Sequence, residues 1–235
     1  MNTYRKTAII VGGLYIIGTV AGILSVVFTS TILNAPDFLE RAFANQSQII
    51  IGALFVLMMG ISLALIPVLL FPILKKQNEA MALGYVVFRG ALETVTYIIA
   101  AISWLLLLPL SQEYVKGIPL AAPYFQTFAT LLRGIGDLPM TVFVFSLGAL
   151  ILYSLLYQSK LIPRWLSVWG LIAIVLHLTT GFLILFGLQT SFDTSNLVMN
   201  FPIFLQEMVM AVWLIVKGFN QSAIVSLFAK AGNTN

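Results

Sequence analysis

The sequence predicts an all-α membrane protein, a six-transmembrane-helix bundle with N- and C-termini cytoplasmic, and three observations carry that prediction. Of 235 residues, 60% are hydrophobic and 9% charged, and mean hydropathy is +1.02. A water-soluble domain carries about 25% charged residues, so there is too little polar surface here to cover a fold in water. Apolar stretches exceed the roughly 20 residues needed to cross a hydrocarbon core of about 30 Å, and the polar segments between them leave no room for a separate soluble domain. Finally, lysine and arginine gather at alternate loops.

The spans fall at about 7–33, 48–74, 80–110, 125–157, 163–188 and 197–217, and the whole chain, 1–235, reads as a single polytopic membrane domain. The first follows Arg5 and Lys6, but its apolar run is longer than a signal-peptide core and no small-x-small cleavage pattern follows, so it reads as a retained helix. Asn34-Ala35-Pro36-Asp37 ends it, and Asn45-Gln46-Ser47 offers caps to the second. Pro67 and Pro72 interrupt the backbone donors of the second span, where kinks are expected. Gly18-Thr19-Val20-Ala21-Gly22 has the small-xxx-small spacing, which serves close packing inside the bundle or a dimer seam. Trp165 and Trp169 open the fifth span and Tyr153 and Tyr157 close the fourth, where aromatic belts sit.

Basic residues are retained on the cytoplasmic side during insertion. With the N-terminus inside, Arg5, Lys6, Lys75, Lys76, Lys160, Arg164, Lys217 and Lys230 are cytoplasmic, only Arg41 and Lys116 lie outside, and Arg89 and Arg133 are within spans. Lipid bilayer is thus the expected environment. The net charge of +4 does not indicate nucleic acid, because the basic residues are scattered with no cluster or stacking pattern.

Cysteine is absent, which excludes disulfides and thiolate ligands. One histidine argues against zinc and excludes bis-histidine haem, and no lysine lies in mid-membrane for a retinal Schiff base. No cofactor, metal or catalytic residue is assigned. The informative residues are the intramembrane ionisable ones: Arg89 and Glu93 in the third span, Arg133 and Asp137 in the fourth, His177 in the fifth and Glu207 in the sixth. A charge at mid-membrane costs at least about 2.5 to 3.5 kcal/mol, so each needs a partner or a wet cavity. Glu207 lies 14 residues after Asp193 and 10 before Lys217, and the others fall in the same layer. Helical spacing puts Tyr85, Arg89, Glu93, Thr96 and Ser103 on one stripe, and Thr130, Arg133, Asp137 and Thr141 on another. Asn196, Asn200 and Glu207 form a third, and Ser167, Gly170, His177 and Gly181 a fourth. Spans one and two are more uniformly apolar.

Two arginines stand against three carboxyls and an imidazole, so neutrality requires one further proton, held by His177 or a carboxyl. Four uses of such a cluster stay open. It is a packing device of self-sufficient i,i+4 pairs; an intramembrane enzyme acting on a lipid-like substrate, although no G-x-S-x-G is present; a binding or proton-coupled transport site for a small anionic or amphiphilic ligand, for which a homo-oligomer is expected because six spans are few for a carrier; or part of an accessory subunit.

Several segments resemble a known family. Arg5-Lys6-Thr7-Ala8-Ile9-Ile10-Val11-Gly12, Leu74-Lys75-Lys76, Ala82-Leu83-Gly84-Tyr85 with Phe88-Arg89, Leu155 to Gly170, Leu205-Gln206-Glu207-Met208 and Ala211 to Asn220 are similar to the bacterial integral-membrane domain-of-unknown-function family 4386. The resemblance covers nearly the whole chain. It implies a multi-pass protein of a bacterial plasma membrane with six or so helices and supplies no activity.

Overall fold

A computed structural model describes residues 3–117, 122–135, 138–191 and 193–232. Among the described residues all regular structure is helical: α1 (Thr3–Leu33), α2 (Phe38–Ala44), α3 (Gln46–Leu74), α4 (Glu79–Tyr85), a π-helical segment (Val86–Leu92), α5 (Glu93–Val115), α6 (Ala122–Ile135), α7 (Met140–Ser159), α8 (Arg164–Leu185), α9 (Thr194–Val216) and α10 (Gln221–Gly232). Among the described residues, six stretches are long and apolar enough to cross a membrane: Thr3–Leu33, Gln46–Leu74, Glu79–Val115, Ala122–Ser159, Arg164–Leu185 and Thr194–Val216. The expected spans are therefore present. The protein is a multi-pass, all-α membrane protein.

Four details differ from the expectation. The short α2 and the amphipathic α10 lie outside the predicted spans. The third span is not uniform, because Val86–Leu92 widens to π-helical winding, with the Glu93 N–H bonding the Phe88 carbonyl five residues back. The fourth is interrupted. Helix α6 ends at Ile135 and α7 begins at Met140, with Pro139 as its N-cap. Proline has no N–H to donate and disfavours helical geometry in the residue before it, so Thr130 and Arg133 belong to α6 and Thr141 to α7.

The chain divides into two compact units, Met1–Ile17 with Ser62–Thr94 and Pro139–Asn235, and Gly18–Ile61 with Val95–Leu138. In the second unit the core gathers Leu33, Phe38, Leu39, Leu107, Ala129 and Leu132 around Trp104. A Cβ at Gly22 would lie 2.7 Å from the Met59 sulfur, so this glycine lets α1 approach α3 closely. The small-residue motif thus serves packing within the unit.

In the first unit α7 packs on α8, α8 on α9, and α4 and the π-segment on α7. Helix α1 runs along α9 at close range: a Cβ on Gly12 would meet the Ala211 carbonyl oxygen at 2.6 Å. Where the two helices meet at their far ends, Arg5 donates to the carbonyls of Leu214 (3.0 Å), Ile215 (2.6 Å) and Val216 (3.1 Å). These are last-turn carbonyls of α9 with no helical N–H to accept from, and a cation there also meets the negative end of the helix dipole. Gly218 completes this cap at φ +74, with its N–H bonding the Trp213 carbonyl, and a side chain at that position would collide with Arg5.

Helix α10 returns to the same end. Its Ala223, Ile224 and Leu227 are buried, its Phe228 ring lies 5.5 Å from that of Tyr4, and the preceding Asn220 N–H bonds the Leu161 carbonyl. The first and last described helices therefore end together. Arg5→Gln should lower stability by about 1 to 2 kcal/mol, because it strips a charged donor from three carbonyls. Gly218→Ala should act in the same direction and less than additively with it, as a double-variant melting series in detergent will show.

Candidate functional site

Helix α4 starts at Asn78, whose side chain accepts from the Met81 N–H, and the polar centre follows ten residues beyond Glu79. At about 1.5 Å of rise per residue this is about 15 Å into the span. Arg89 sits in the π-helical segment and Glu93 directly after it. The Arg89 Nη1 donates to both Glu93 oxygens, at 2.9 and 3.0 Å, and its Nη2 donates to Glu207 Oε1 at 3.1 Å. One guanidinium thus holds two carboxylates, one of them on α9, 118 residues further along the chain than Arg89.

The walls of this site are close. The Arg89 guanidinium carbon lies 4.5 Å above the Phe145 ring of α7. A Cβ on Gly148, one turn further along α7, would come within 3.2 Å of the Arg89 backbone nitrogen, so only glycine admits the π-segment at this distance. The three ion-pair side chains are not equally covered: Arg89 is 3% exposed, Glu93 1% and Glu207 15%. Glu207 is the accessible carboxylate.

Three fully buried tyrosines surround the charges. Tyr15 of α1, Tyr85 of α4 and Tyr153 of α7 are all within electrostatic reach of Arg89 and Glu207. The Tyr153 hydroxyl donates to Gln206 Oε1, and Gln206 Nε2 donates to the Leu166 carbonyl of α8, so α7, α8 and α9 are tied beside the ion pairs. The Tyr85 hydroxyl faces that of Tyr15 next to the charged centre.

His177 is adjacent but differently engaged. Its ring makes an edge contact with the same aromatic, 5.0 Å from Phe145 at 81°, and its Nδ1 is 2.6 Å from Asn200 Oδ1. Asn200 Oδ1 also accepts from Thr180, while Asn200 Nδ2 donates to Asn196 Oδ1, which orients the amide oxygen toward the imidazole and makes Nδ1 the protonated nitrogen. Of the three residues expected on one line of α9, Asn196 and Asn200 are bonded together and continue to His177 of α8, whereas Glu207 bonds Arg89 instead.

The sequence-predicted residues are distributed as follows. Arg89, Glu93 and Glu207 are bonded together, and His177 touches Phe145 with Asn200 as its partner. Arg133 belongs to the other compact unit, where it donates to the Leu33 carbonyl at 3.0 Å and lies 5.0 Å over the Phe38 ring, capping the end of α1. Asp137 lies outside the described residues. Tyr153, expected in an aromatic belt, is instead buried against Gln206, whereas Tyr157 and Trp165 are exposed at 39% and 53%. Sequence reasoning missed Tyr15, Phe145 and Gln206. The signal for Gln206 was present, since an amide in mid-span has the same need of a partner as a charge.

A protein-family comparison decides the chain's affiliation. The family model described as "Domain of unknown function (DUF4386)" matches residues 10–218. The chain belongs to this family. No curated protein and no solved structure matches it. The DUF4386 match encloses Arg89, Glu93 and Glu207, and α10 lies beyond the matched region.

Glu93→Gln should destabilise the protein by about 3 to 5 kcal/mol, because it leaves a buried guanidinium short of its bidentate partner. Phe145→Leu should cost less, about 0.5 to 2 kcal/mol for the lost cation–π contact beyond its volume change. Both are read as melting shifts in detergent against a surface control such as Lys6→Gln.

Proposed function

We propose that this DUF4386 protein binds a small anionic or amphiphilic ligand at the Arg89–Glu93–Glu207 centre and couples its entry to a proton. The carrying observation is the division of labour at Arg89. Nη1 is fully committed to the buried Glu93, whereas Nη2 is held through a single bond by the more exposed Glu207. One positive charge faces two carboxyls in a medium where an uncompensated charge is costly, so charge balance favours one proton on the pair. Placing that proton on Glu207 weakens its hold on Nη2, and the anionic group of a ligand can then take its place on the guanidinium. Anion and proton occupy the centre together and leave together.

The surroundings support this use. π-helical segments recur at functional sites, the paired Tyr15 and Tyr85 hydroxyls lie beside the charges, and the groups facing Glu207 are Arg89, Glu93 and the tyrosines of α1, α4 and α7. The distribution of lysine and arginine supports both termini being cytoplasmic, the short polar links between spans support a single polytopic domain, and the resemblance to family 4386 supports a bacterial plasma membrane as its location.

The same geometry also favours, by its bidentate Arg89–Glu93 pair, a reading in which the cluster only fixes packing. Melting curves separate the two. If the folded state holds one more proton than the unfolded chain, stability falls as pH rises. The wild type should therefore lose stability between about pH 5 and pH 9, and Glu207→Gln, neutral at every pH, should be at least as stable at high pH and nearly flat across the range. Sodium benzoate and sodium decanoate serve as probes. Both should raise the wild-type melting temperature more at low pH than at high pH, and should raise that of Glu207→Gln, which mimics the protonated carboxyl, by a similar amount at every pH. A Glu207→Gln protein that melts far below wild type at every pH, with no response of the wild type to either probe, leaves the packing reading.

A further inference from the structure

At the end of the first unit that carries Arg5 and Tyr4, two grooves adjoin on the surface of α9. One, of about 410 Å³, is lined by Met208, Val209, Val212, Trp213, Val216 and Lys217. Apart from the final lysine its side chains are apolar, and Val212 and Val216 are 54% and 62% exposed on a membrane-spanning helix, where they meet acyl chains. The second, of about 450 Å³, lies between the α7–α8 turn and the α9–α10 turn. Lys160, Arg164 and Lys217 line it, together with Trp213 and Asn220. Trp213 and Lys217 belong to both grooves, so an apolar trough on the helix face opens directly into a basic recess at its end.

The recess is a concentration of unneutralised charge. Among the described residues, none of Lys160, Arg164 and Lys217 forms an ion pair with a carboxylate. Arg164 is steadied over the Tyr157 ring at 5.0 Å, which positions it without neutralising it. Lys160 is the only non-glycine described residue in the left-handed region, at φ 55, a conformation that helix ends normally give to glycine or asparagine. Three cations around a recess beside an acyl-facing trough match the two halves of one molecule, and basic pockets between membrane helices are where anionic headgroups lodge.

We infer that α9 and the two flanking turns form a binding site for an anionic phospholipid, its phosphate held by Lys160, Arg164 and Lys217 and one acyl chain lying along Val212 and Val216 under Trp213. The site is independent of the Arg89 centre, which lies on a different face of α9. Charge complementarity selects the occupant: a zwitterionic lipid brings its own cation into a recess that already holds three. The anchored lipid also braces the junction at which α10 leaves α9.

Native mass spectrometry of the full chain in mild detergent tests this, with phosphatidylglycerol and phosphatidylcholine of identical acyl chains competing at equal concentration. Phosphatidylglycerol should be retained about tenfold or more over phosphatidylcholine. The triple variant Lys160→Gln/Arg164→Gln/Lys217→Gln should lose that preference. The charge-matched triple Lys6→Gln/Lys75→Gln/Lys76→Gln should keep it, and so controls for net charge. Should the first triple fold poorly, Lys217→Gln alone and Val212→Trp, which fills the trough, should each reduce retention several-fold. Inorganic phosphate and glycerol 3-phosphate form a second arm, read by melting temperature. Equal retention of the two lipids, an undiminished preference in the groove variants, or stabilisation by inorganic phosphate as large as that by phosphatidylglycerol overturns the proposal.

Discussion

A single guanidinium inside the membrane sets the terms for the first compact unit. Arg89 cannot lose its proton, cannot be left bare in an apolar medium and cannot reach water from a side chain that is 3% exposed. Everything around it follows from that need. Glu93 supplies a bidentate partner from the next turn, Glu207 supplies a second from α9, and Phe145 covers the face of the guanidinium. Because the second carboxylate comes from a helix far along the chain, satisfying the charge also decides which helices meet.

The packing is shaped to bring those groups within bonding distance. Gly12 lets α1 settle onto α9, which brings Tyr15 toward Glu207 one turn away, and Gly148 lets α7 reach the π-segment. Winding the backbone wider at Val86–Leu92 changes the direction in which Arg89 and Glu93 project, and Thr94 repays part of the disturbance by bonding the Gly90 carbonyl at 2.7 Å. Small residues, a π-segment and a buried amide thus serve one purpose. The lipid-facing surface asks for little more than apolar bulk, and the two grooves on α9 are the place where it becomes specific.

In the proposed function, the unequal cover of the two carboxylates separates a structural role from a labile one within a single ion-pair triad. Glu93 is locked by two bonds and is almost fully buried, while Glu207 is held by one and keeps some access. A purely cohesive device gains nothing from that asymmetry. An exchange site needs one partner that stays and one that can yield.

How much was legible in the sequence follows from the kind of physics each feature obeys. The number of spans, their approximate limits and the all-α architecture are properties of composition over some 20 residues, because a bilayer accepts only backbones whose hydrogen bonds are satisfied within the segment. The special status of Arg89, Glu93 and Glu207 was equally visible, since charge in an apolar run stands out wherever the chain goes. Which charges would meet was not. Local spacing could suggest Arg89 with Glu93, but it grouped Arg133 with them, and the structure instead uses Arg133 to cap Leu33. It also read Tyr153 as interfacial, when its rotational position on α7 turns the hydroxyl to Gln206. The helical pattern counts residues at a fixed angle, so it does not register a π-segment at Val86 or a break before Pro139, and every stripe drawn across such a point changes direction. Sequence by itself determined the solvent this protein lives in and the residues that cannot live there alone. Tertiary structure alone decided their partners, because pairing depends on the helix faces that close packing brings together.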